Sequence, residues 1–302
     1  MSKSFKISIV IRCLNELENL KVLFPILKNQ LFKNFEIIFV DSGSTDGSME
    51  YVEELKKDKF LEIKILTIKK EEFTFGRSLN IGFCKAEGEV VVSLSAHCFP
   101  TSKHWLDYYL QSFDKSDSIG IVYGRQIAYK LSKYSEQSVL GKLFPESSGL
   151  QDHSFNNNGN SATLKSLWEQ NNFDESLSGL EDINYAKFVL ENDKKIFYSS
   201  EACVEHYHDE TFVQIKNRYK REAFALKIIY PKKIKSLSKL FLIFLKDLKF
   251  DFSNRKSSKL ENGKKVVDIY RYRLNQFLGT HEGFQKDIFE KYDKSSFYLG
   301  KK

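Results

Sequence analysis

FEIIFVDSGSTDG, residues 35–47, is the stretch that decides the fold. It begins as an apolar run typical of a buried strand and ends in the Gly, Ser, Thr and Asp residues of a tight turn. KISIVIRCL, residues 6–14, has the same apolar character, and NELENLKVLFPILKNQL between them has the i, i+3, i+4, i+7 spacing of a helix. A strand, a helix and a second strand in succession indicate a parallel βαβ unit.

The alternation continues to about residue 100. The predicted elements are a helix in SMEYVEELKKD (48–58), a strand in LEIKILTIKK (61–70), a helix in GRSLNIGFCKAEG (76–88) and a strand in EVVVSLS (89–95). We therefore predict an α/β fold with a mostly parallel sheet and helices on both faces. The ligand site of such a sheet lies at the carboxyl ends of its strands, which is where the polar clusters of this chain fall.

After residue 103 the pattern loosens. The spacing predicts strands in residues 119–129 and 194–208, helices in 105–113, 164–173, 179–193, 215–230 and 237–250, and a long irregular segment from Ser132 to Asn160. We predict two parts, an α/β domain over residues 1–215 and a basic helical extension over residues 216–302.

Composition narrows the function classes. The net charge of +7 suits nucleic acid, anionic lipid or phosphorylated small molecules, but dispersed Lys and Arg residues without a recognition motif argue against nucleic acid. Four cysteines without a C-x-x-C pair favour a reducing cytoplasm over a disulfide framework or a zinc site. Because no apolar run approaches the ~20 residues that span a bilayer, we expect any membrane contact to be peripheral.

Two strand ends carry side chains suited to chemistry. Asp41 ends a predicted strand, where a carboxylate can accept hydrogen bonds from a nucleobase or ribose, while Ser44, Thr45 and Asp46 are residue types that cap a following helix. His97 follows the strand EVVVSLS, and its imidazole can serve as a hydrogen-bonding group or as a metal ligand.

Four segments in order resemble the family 2 glycosyltransferases, the inverting enzymes of the GT-A fold, over about two-thirds of the chain. The segments are IVIRCLNE with VDSGSTDG (9–16 and 40–47), FTFGRSLNIGFCKAEGEVVVSLSAH (73–97), NNNGNSATLKSLWEQNNFDESLSGLEDINYA (156–186) and EACVEHYHDET (201–211). The resemblance implies transfer of a sugar from a nucleotide-sugar donor to a polysaccharide or a lipid-linked acceptor. We expect a cytoplasmic enzyme at the inner membrane face.

The resemblance also implies roles for individual residues. Nucleotide binding falls to Arg12, Asn15, Glu16, Asp41, Arg77 and Asn80. Contact with the donor sugar or the acceptor falls to Asn158, Asn160, Arg125 and Trp168. The Asn-rich run at residues 155–162 fits a plain loop equally well, and Trp168 fits a core position.

The family's general base corresponds to the pair Glu181-Asp182, and Asp182 is the candidate to deprotonate the acceptor hydroxyl, with Glu181 as the alternative. Paired acids at a helix start also complement the helix dipole, which is a purely structural interpretation.

The family's Asp-x-Asp motif is replaced here by Ser95-Ala96-His97, which removes the carboxylates that hold a cation on the donor diphosphate. His206 and His208 fall where many GT-A enzymes carry a later metal or phosphate ligand, and alternate strand residues share a face. Two alternatives stay open. Either His97 and His208 help to hold a divalent cation (Mn or Mg), or imidazole and Arg side chains bind the phosphates of the donor without a metal.

Other interpretations also remain. The same fold without its metal carboxylates could be a non-catalytic nucleotide- or glycan-binding module, although the retained Glu181-Asp182 pair argues against it.

The basic helix in residues 206–227 is either a solvated face or a contact with phosphate or anionic headgroups. LSKLFLIFLKDLKF, residues 237–250, fits an interfacial amphipathic helix, a dimer helix or a core helix.

Overall fold

The computed structural model describes residues 7–57, 61–130, 132–207, 209–254 and 262–287. Within these residues one sheet contains nine strands. The strands are β1 (Ile7–Cys13), β2 (Phe35–Asp41), β3 (Glu62–Thr67), β4 (Val90–Ser95), β5 (Cys98–Pro100), β6 (Ile119–Ala128), β7 (Gly149–Gln151), β8 (Asn160–Leu164) and β9 (Lys195–His206). The helices are α1 (Leu17–Lys28), α2 (Ser48–Lys57), α3 (Phe75–Lys85), α4 (Trp105–Phe113), α5 (Tyr134–Leu143), α6 (Lys165–Trp168), α7 (Glu181–Glu191), α8 (Phe212–Ile229), α9 (Leu237–Asn254) and α10 (Asn262–Gln285). Short 3-10 turns occupy Lys70–Glu72 and Pro231–Lys233.

The first half of the sheet is parallel. Its strands lie in the order β3-β2-β1-β4, and β1 pairs with β2 in a register that places Ile9 beside Ile37 and Cys13 beside Asp41. Both strands are buried along nearly their whole length, the pattern of central strands that helices cover on both faces. Their carboxyl ends therefore meet at one edge, as the βαβ pattern predicts.

The second half of the sheet is mixed. β8 pairs antiparallel with both β4 and β6, β9 runs parallel to β6, and β5 and β7 each pair antiparallel with β9. The register between β6 and β9 shifts after Gly124, where a Cβ atom would lie 2.1 Å from the carbonyl oxygen of Ala202. Only glycine allows the two backbones to approach this closely.

Each face of the sheet supports its own hydrophobic core. Along β1, Ile9 and Ile11 point to the face covered by α1, α2 and α4, whereas Val10 points to the opposite face with Leu79 and Phe83 of α3. Helices α6 and α7 also pack on that second face. The prediction of an α/β sheet with helices on both faces is confirmed.

The prediction of an irregular segment from Ser132 to Asn160 is wrong, because this segment contains α5 and β7. Polar tertiary contacts hold α5 in place. The Ser135 hydroxyl donates to a carboxylate oxygen of Asp251 at 2.7 Å, and the buried Glu136 carboxylate accepts from Arg218 at 2.8 Å. Such partners come from distant parts of the chain, so hydrophobic periodicity does not reveal them.

The C-terminal helices pack against one another through backbone contact. At Gly279 of α10 a Cβ atom would lie 2.2 Å from the carbonyl oxygen of Lys216 in α8, and at Gly283 one would lie 2.3 Å from that of Lys220. The two glycines, one turn apart, therefore set the separation between α8 and α10. The predicted boundary at residues 215 and 216 falls inside α8, and the division into two parts stays a prediction.

Candidate active site

A cavity of about 340 Å³ opens at the carboxyl ends of β1 and β4. Arg12 and Ser95 line it from those strands, and His97 lines it from the turn that follows β4. The loop before β8 contributes Asn157, Asn158 and Gly159, and the chain around the start of α7 contributes Gly179, Leu180, Glu181 and Asp182. One face of α8 contributes Gln214, Asn217, Arg218, Arg221 and Glu222. The remaining lining residues are Phe75, His206 and Glu210. The cavity lies where α/β sheets hold their ligands.

The loop after β2 is organised by Asp41. Its carboxylate accepts hydrogen bonds from the backbone N–H groups of Gly43 and Ser44, at 2.8 and 2.9 Å, and from the Ser44 hydroxyl. The Ser44 oxygen accepts from the backbone N–H of Asn15 at 2.8 Å, so the loop after β1 is joined to the loop after β2. Asn15 has φ 52°, a left-handed conformation that asparagine tolerates.

Asp46 caps two helices at once, which confirms its predicted capping role. Its carboxylate accepts from the backbone N–H of Leu17 at 2.9 Å and from that of Ser48 at 3.0 Å, the first residues of α1 and α2. Burial acts to raise the pKa of Asp46, but these hydrogen bonds outweigh it and lower the pKa below its ordinary value. The charged carboxylate thus holds both helix starts next to the cavity.

Two imidazole rings lie side by side at the cavity. The rings of His97 and His206 stack with centroids 5.1 Å apart, because His206 ends β9 opposite Cys98 and His97 is the next residue back along the chain. Nδ1 of His97 donates to the Glu16 carboxylate at 3.1 Å, and Nδ1 of His206 donates to the Gln126 side-chain oxygen at 2.7 Å. These partners fix the orientation of both rings.

Two guanidinium groups flank one phenyl ring. The Arg12 and Arg221 guanidinium carbons lie 5.2 and 4.8 Å from the centroid of Phe75, and all three residues line the cavity. Nη1 of Arg12 lies 3.7 Å from a carboxylate oxygen of Glu181 and donates no hydrogen bond to the described residues. Paired guanidinium groups in a cavity can bind phosphate oxygens.

The acidic pair begins α7. Leu180, with φ 58°, turns the chain into the helix, and the Asp182 carboxylate accepts from the backbone N–H groups of Asn158 at 3.0 Å and Ile183 at 2.8 Å. Burial and then the neighbouring charge of Glu181 raise the pKa of Asp182 to about 7, against the lowering effect of the two N–H groups and Arg12. A carboxylate with this pKa is suited to accept a proton at neutral pH.

Asp182 separates this cavity from a second one of about 410 Å³ between α5, α8 and α10. The residues that line both cavities are Asn157, Leu180, Asp182, His206, Arg218 and Glu222. The rest of the second cavity is lined by an apolar group, Val139, Leu140, Leu143, Phe144, Phe155, Ile183, Ala223, Leu226 and Phe284, and by the polar residues Gln126, Glu136, Asn156, Tyr219, Gln276 and Thr280. The carboxylates of Asp182 and Glu222 are therefore accessible from a charged side and from a largely apolar side.

The structure brings most of the predicted site residues to this region. Those that line the first cavity are Arg12, Ser95, His97, Asn158, Glu181, Asp182 and His206. Glu16 is joined to the cavity by the hydrogen bond from His97, and Asn15 and Asp41, which do not line the cavity, are joined to each other through Ser44. His208 lies outside the described residues.

Other predicted residues lie away from the cavity lining. Asn160 is fully buried, and its amide bonds with Trp105, Tyr109, Arg125 and Ala202. Trp168 is buried in the core, where its indole N–H donates to Asn80 at 3.1 Å, while the amide nitrogen of Asn80 donates to Phe173 and Glu175. Arg77 pairs with Glu72 and Glu175, and Arg125 pairs with Glu146.

The Asp-x-Asp carboxylates are absent from the end of β4, where Ala96 stands between Ser95 and His97. His97 and His206 each use Nδ1 for a protein partner, which leaves Nε2 of each ring as the atom that could bind a phosphate or a cation. Among the described residues, the candidate metal-ligating group is Glu36, Glu62 and Glu87, at the opposite end of the sheet, where Nζ of Lys64 lies 2.8 Å from Glu36. That cluster is an ion-pair network remote from the cavity.

Sequence reasoning missed Phe75, and it left the basic helix in residues 206–227 open between a solvated face and a phosphate contact. Gln214, Asn217, Arg218, Arg221 and Glu222 all line the first cavity and recur at intervals of three and four residues. This spacing places polar side chains on one helix face, and the same helix buries Ile215, Ala223 and Phe224. A polar stripe beside an apolar stripe was the signal that α8 faces a site as well as the core.

Comparisons with solved structures identify the class of fold. The mannosyltransferase PcManGT from Pyrobaculum calidifontis, solved in complex with GDP-Man and Mn²⁺, superposes with a TM-score of 0.66 over 94% of this chain and 88% of its own, at 13% identity. Staphylococcus aureus TarS 1-349 in complex with UDP-GlcNAc gives 0.58 over 90% of each chain, at 16% identity. The predicted GT-A fold is confirmed.

The sequence itself identifies the family. The profile of Glycosyl transferase family 2 matches residues 8–172, more than half of the chain, and the chain belongs to this family. O-antigen chain rhamnosyltransferase RfbN of Salmonella typhimurium is 25% identical over 206 residues, which are 64% of this chain and 63% of that protein. The match thus spans less than two thirds of this curated relative.

Proposed function

We propose that this protein is an inverting glycosyltransferase that moves a sugar from a nucleotide-sugar donor to a hydroxyl group of a saccharide or lipid-linked acceptor. The observation that carries the proposal is the position of Asp182. Its carboxylate, with a pKa raised to about 7, stands between a cavity lined by the guanidinium groups of Arg12 and Arg221, among others, and a cavity that is largely apolar. Such a base can serve a reaction whose two substrates arrive from opposite sides.

The donor occupies the first cavity in this proposal. Its phosphate oxygens contact the guanidinium groups of Arg12 and Arg221 and the imidazole of His97, which are charged or polar groups on one wall. The nucleoside extends toward the joined loops that carry Asn15 and Asp41. The complexes of PcManGT with GDP-Man and of TarS with UDP-GlcNAc support a nucleotide-sugar donor on this fold.

The acceptor approaches from the second cavity. Asp182 takes the proton of its hydroxyl as that oxygen attacks the anomeric carbon, and the nucleotide leaves from the opposite face with the electron pair of the glycosidic bond. Attack opposite the leaving group inverts the anomeric configuration. The negative charge that develops on the leaving phosphate is stabilised by Arg12 and Arg221, with an imidazole as a further hydrogen-bonding group.

The chemistry of the departing phosphate does not require a carboxylate-held cation in this arrangement. A divalent cation at the donor phosphates would offset their negative charge. Here the described residues offer guanidinium and imidazole groups at the corresponding edge of the sheet. We therefore propose catalysis that depends on these side chains, and a divalent cation held with the help of His97 is the alternative that nucleotide binding with and without Mn²⁺ or Mg²⁺ tests.

The acceptor and the location follow from chemistry and from the relatives. An apolar cavity next to the base suits an acceptor with an apolar portion, such as a lipid-linked saccharide. The name of RfbN, an O-antigen chain rhamnosyltransferase, supports a growing polysaccharide or glycolipid as acceptor. We propose that the protein acts in the cytoplasm at the inner face of the membrane.

A thermal-shift screen tests the proposal, with UDP, GDP, dTDP and CMP added with and without Mn²⁺ or Mg²⁺. At least one nucleotide should raise the melting temperature of the wild-type protein, because a ligand that binds only the native state stabilises it. The shift should be lost in Arg221→Ala and kept in Arg271→Ala, an exposed arginine outside both cavities. Absence of any shift would favour a non-catalytic glycan-binding module.

A further inference from the structure

Helix α9 exposes an unusual amount of apolar side chain. Its outward residues Leu237, Phe241, Leu242, Ile243, Leu245 and Phe250 are 38 to 64% exposed. Among the described residues, no helix combines the length and the apolar content that crossing a bilayer requires. The apolar surface of α9 therefore needs another explanation.

The charges of α9 are sorted between its two faces. Lys239, Lys246 and Lys249 are exposed. The two acidic residues of the helix face the protein, because Asp247 pairs with Lys142 at 2.8 Å and the fully buried Asp251 pairs with Arg273 at 2.7 Å. The outward face of α9 is thus both apolar and basic.

Contacts with α10 hold this face in one orientation. Inward-facing Leu240 and Phe244 lie one turn apart, Leu240 joins the cluster that contains Phe284, and the Phe244 ring lies 5.6 Å from Phe277. Leu242 and Leu245 consequently project away from the protein beside Lys246 and Lys249. The face is presented on a packed helix and not on a loop.

We propose that the outward face of α9 binds an anionic phospholipid surface, with the helix lying in the plane of the membrane. Leucine and phenylalanine side chains enter the boundary between headgroups and acyl chains, while the lysines contact the anionic headgroups. The lysines decide against a protein partner, since the cores of protein interfaces are depleted in lysine. Two further exposed lysines, Lys232 and Lys235, precede the helix and extend the basic surface.

Membrane binding through α9 deepens the proposed function, because it adds a way of bringing the acceptor to the enzyme. Only this consequence for the acceptor rests on the proposed function. Helix α9 packs against α10 and α5, which also line the apolar cavity that reaches Asp182. A membrane contact at α9 would keep this cavity close to a lipid-linked acceptor. Binding to lipid itself does not depend on glycosyl transfer, so the two can fail separately.

The test is co-sedimentation of the purified full chain with vesicles of phosphatidylglycerol and phosphatidylcholine, compared with vesicles of phosphatidylcholine alone. Wild-type protein should bind the anionic vesicles more tightly, and binding should weaken as salt rises from 0.05 to 0.5 M. The variant K239Q/K246Q/K249Q should lose about fivefold in affinity for each lysine removed. Its matched control is K56Q/K69Q/K85Q, which removes three exposed lysines elsewhere.

A second pair of variants tests the apolar contribution. L242Q/L245Q should weaken binding to the anionic vesicles at least tenfold, whereas V213Q/L31Q, which changes two other exposed apolar residues, should bind like wild type. Circular dichroism and thermal melting check that every variant is folded. Wild-type binding by both α9 variants would overturn the proposal. So would a wild-type dimer that L242Q/L245Q dissociates while vesicle binding stays unchanged.

Discussion

The imidazole rings of His97 and His206 are stacked 5.1 Å apart, with their planes inclined by 17°. The two residues are brought together by the antiparallel pairing of β5 with β9, and each ring is oriented by a hydrogen bond that its Nδ1 donates, to Glu16 from His97 and to Gln126 from His206. At the ends of β4 and β9 this chain thus presents a pair of oriented rings. The proposed donor site therefore depends on imidazole and guanidinium groups.

Replacing His97 should weaken donor binding. His97→Ala removes an oriented hydrogen-bonding group from the proposed phosphate site, and we expect a loss of about tenfold in nucleotide affinity. The affinity is measured by isothermal titration calorimetry, with the nucleotide that gives the largest thermal shift. His104→Ala is the control, because His104 is exposed and outside the cavity. Equal affinities for both variants and wild type would assign His97 a structural role only.

Removing the proposed base should abolish transfer without abolishing binding. Asp182→Asn keeps the size of the side chain but cannot accept the acceptor proton, so kcat should fall at least ~100-fold while the nucleotide Kd stays within about twofold. Glu191→Gln, at the other end of α7, should behave like wild type. Turnover by Asp182→Asn at the wild-type rate would remove Asp182 from this role.

The pH dependence of turnover follows from the raised pKa of Asp182. The base acts in its charged form, so kcat should rise with pH up to about 7, where the pKa lies, and level off above it. Stopped assays between pH 5 and 9 measure the profile. A rate independent of pH across this range contradicts the assignment.

The charged Asp182 carboxylate should lower the free energy of unfolding at neutral pH. Because folding raises the pKa of Asp182 from 3.8 to about 7, the native state disfavours the charged form, and stability decreases as pH rises from about 4 to about 7. Asp182→Asn should therefore be more stable than wild type at pH 8, on the order of 2 kcal/mol, with the difference shrinking toward pH 4. Urea unfolding at the two pH values measures the free energies, and a difference of the same size at both would show another cause.

The contact between α8 and α10 should not tolerate a methyl group. A Cβ atom at Gly279 would lie 2.2 Å from a backbone oxygen of α8, so Gly279→Ala should destabilise the protein by about 1 to 3 kcal/mol. Gly141→Ala in α5 is the matched control, because nothing lies within 4 Å of a Cβ atom there. Alanine has a higher helix propensity than glycine, so Gly141→Ala should leave the stability of the protein unchanged or raise it by up to about 1 kcal/mol. Equal melting temperatures for the two variants would contradict the close contact.

The sequence by itself determined the parallel half of the sheet and the order of its helices. Apolar runs such as those of β1 and β2 alternate with segments whose apolar residues recur about every 3.6 residues, as in a helix. This pattern is local and depends on few distant contacts. The positions of His97 after β4 and of Asp182 at the start of α7 follow from the same pattern. Since parallel strands end at a common edge, the sequence also located the region of the site.

Only the tertiary structure decided which polar side chains reach the cavity. Asn160 belongs to the Asn-rich run that the resemblance assigns to sugar binding, yet β8 turns its amide into the core, toward Trp105 and Tyr109. Arg221, 209 positions from Arg12 along the chain, joins it at the ring of Phe75. Neither outcome follows from local pattern, because each depends on how distant elements pack.

The pKa of Asp182 depends on tertiary structure in the same way. Burial and the charge of Glu181 raise it, whereas hydrogen bonds from the loop before β8 and the charge at the end of β1 lower it. The acidic pair is visible in the sequence, but the balance among these effects is not. Desolvation and charge act through space, so the chemistry of this carboxylate is decided only when elements far apart in the chain enclose it.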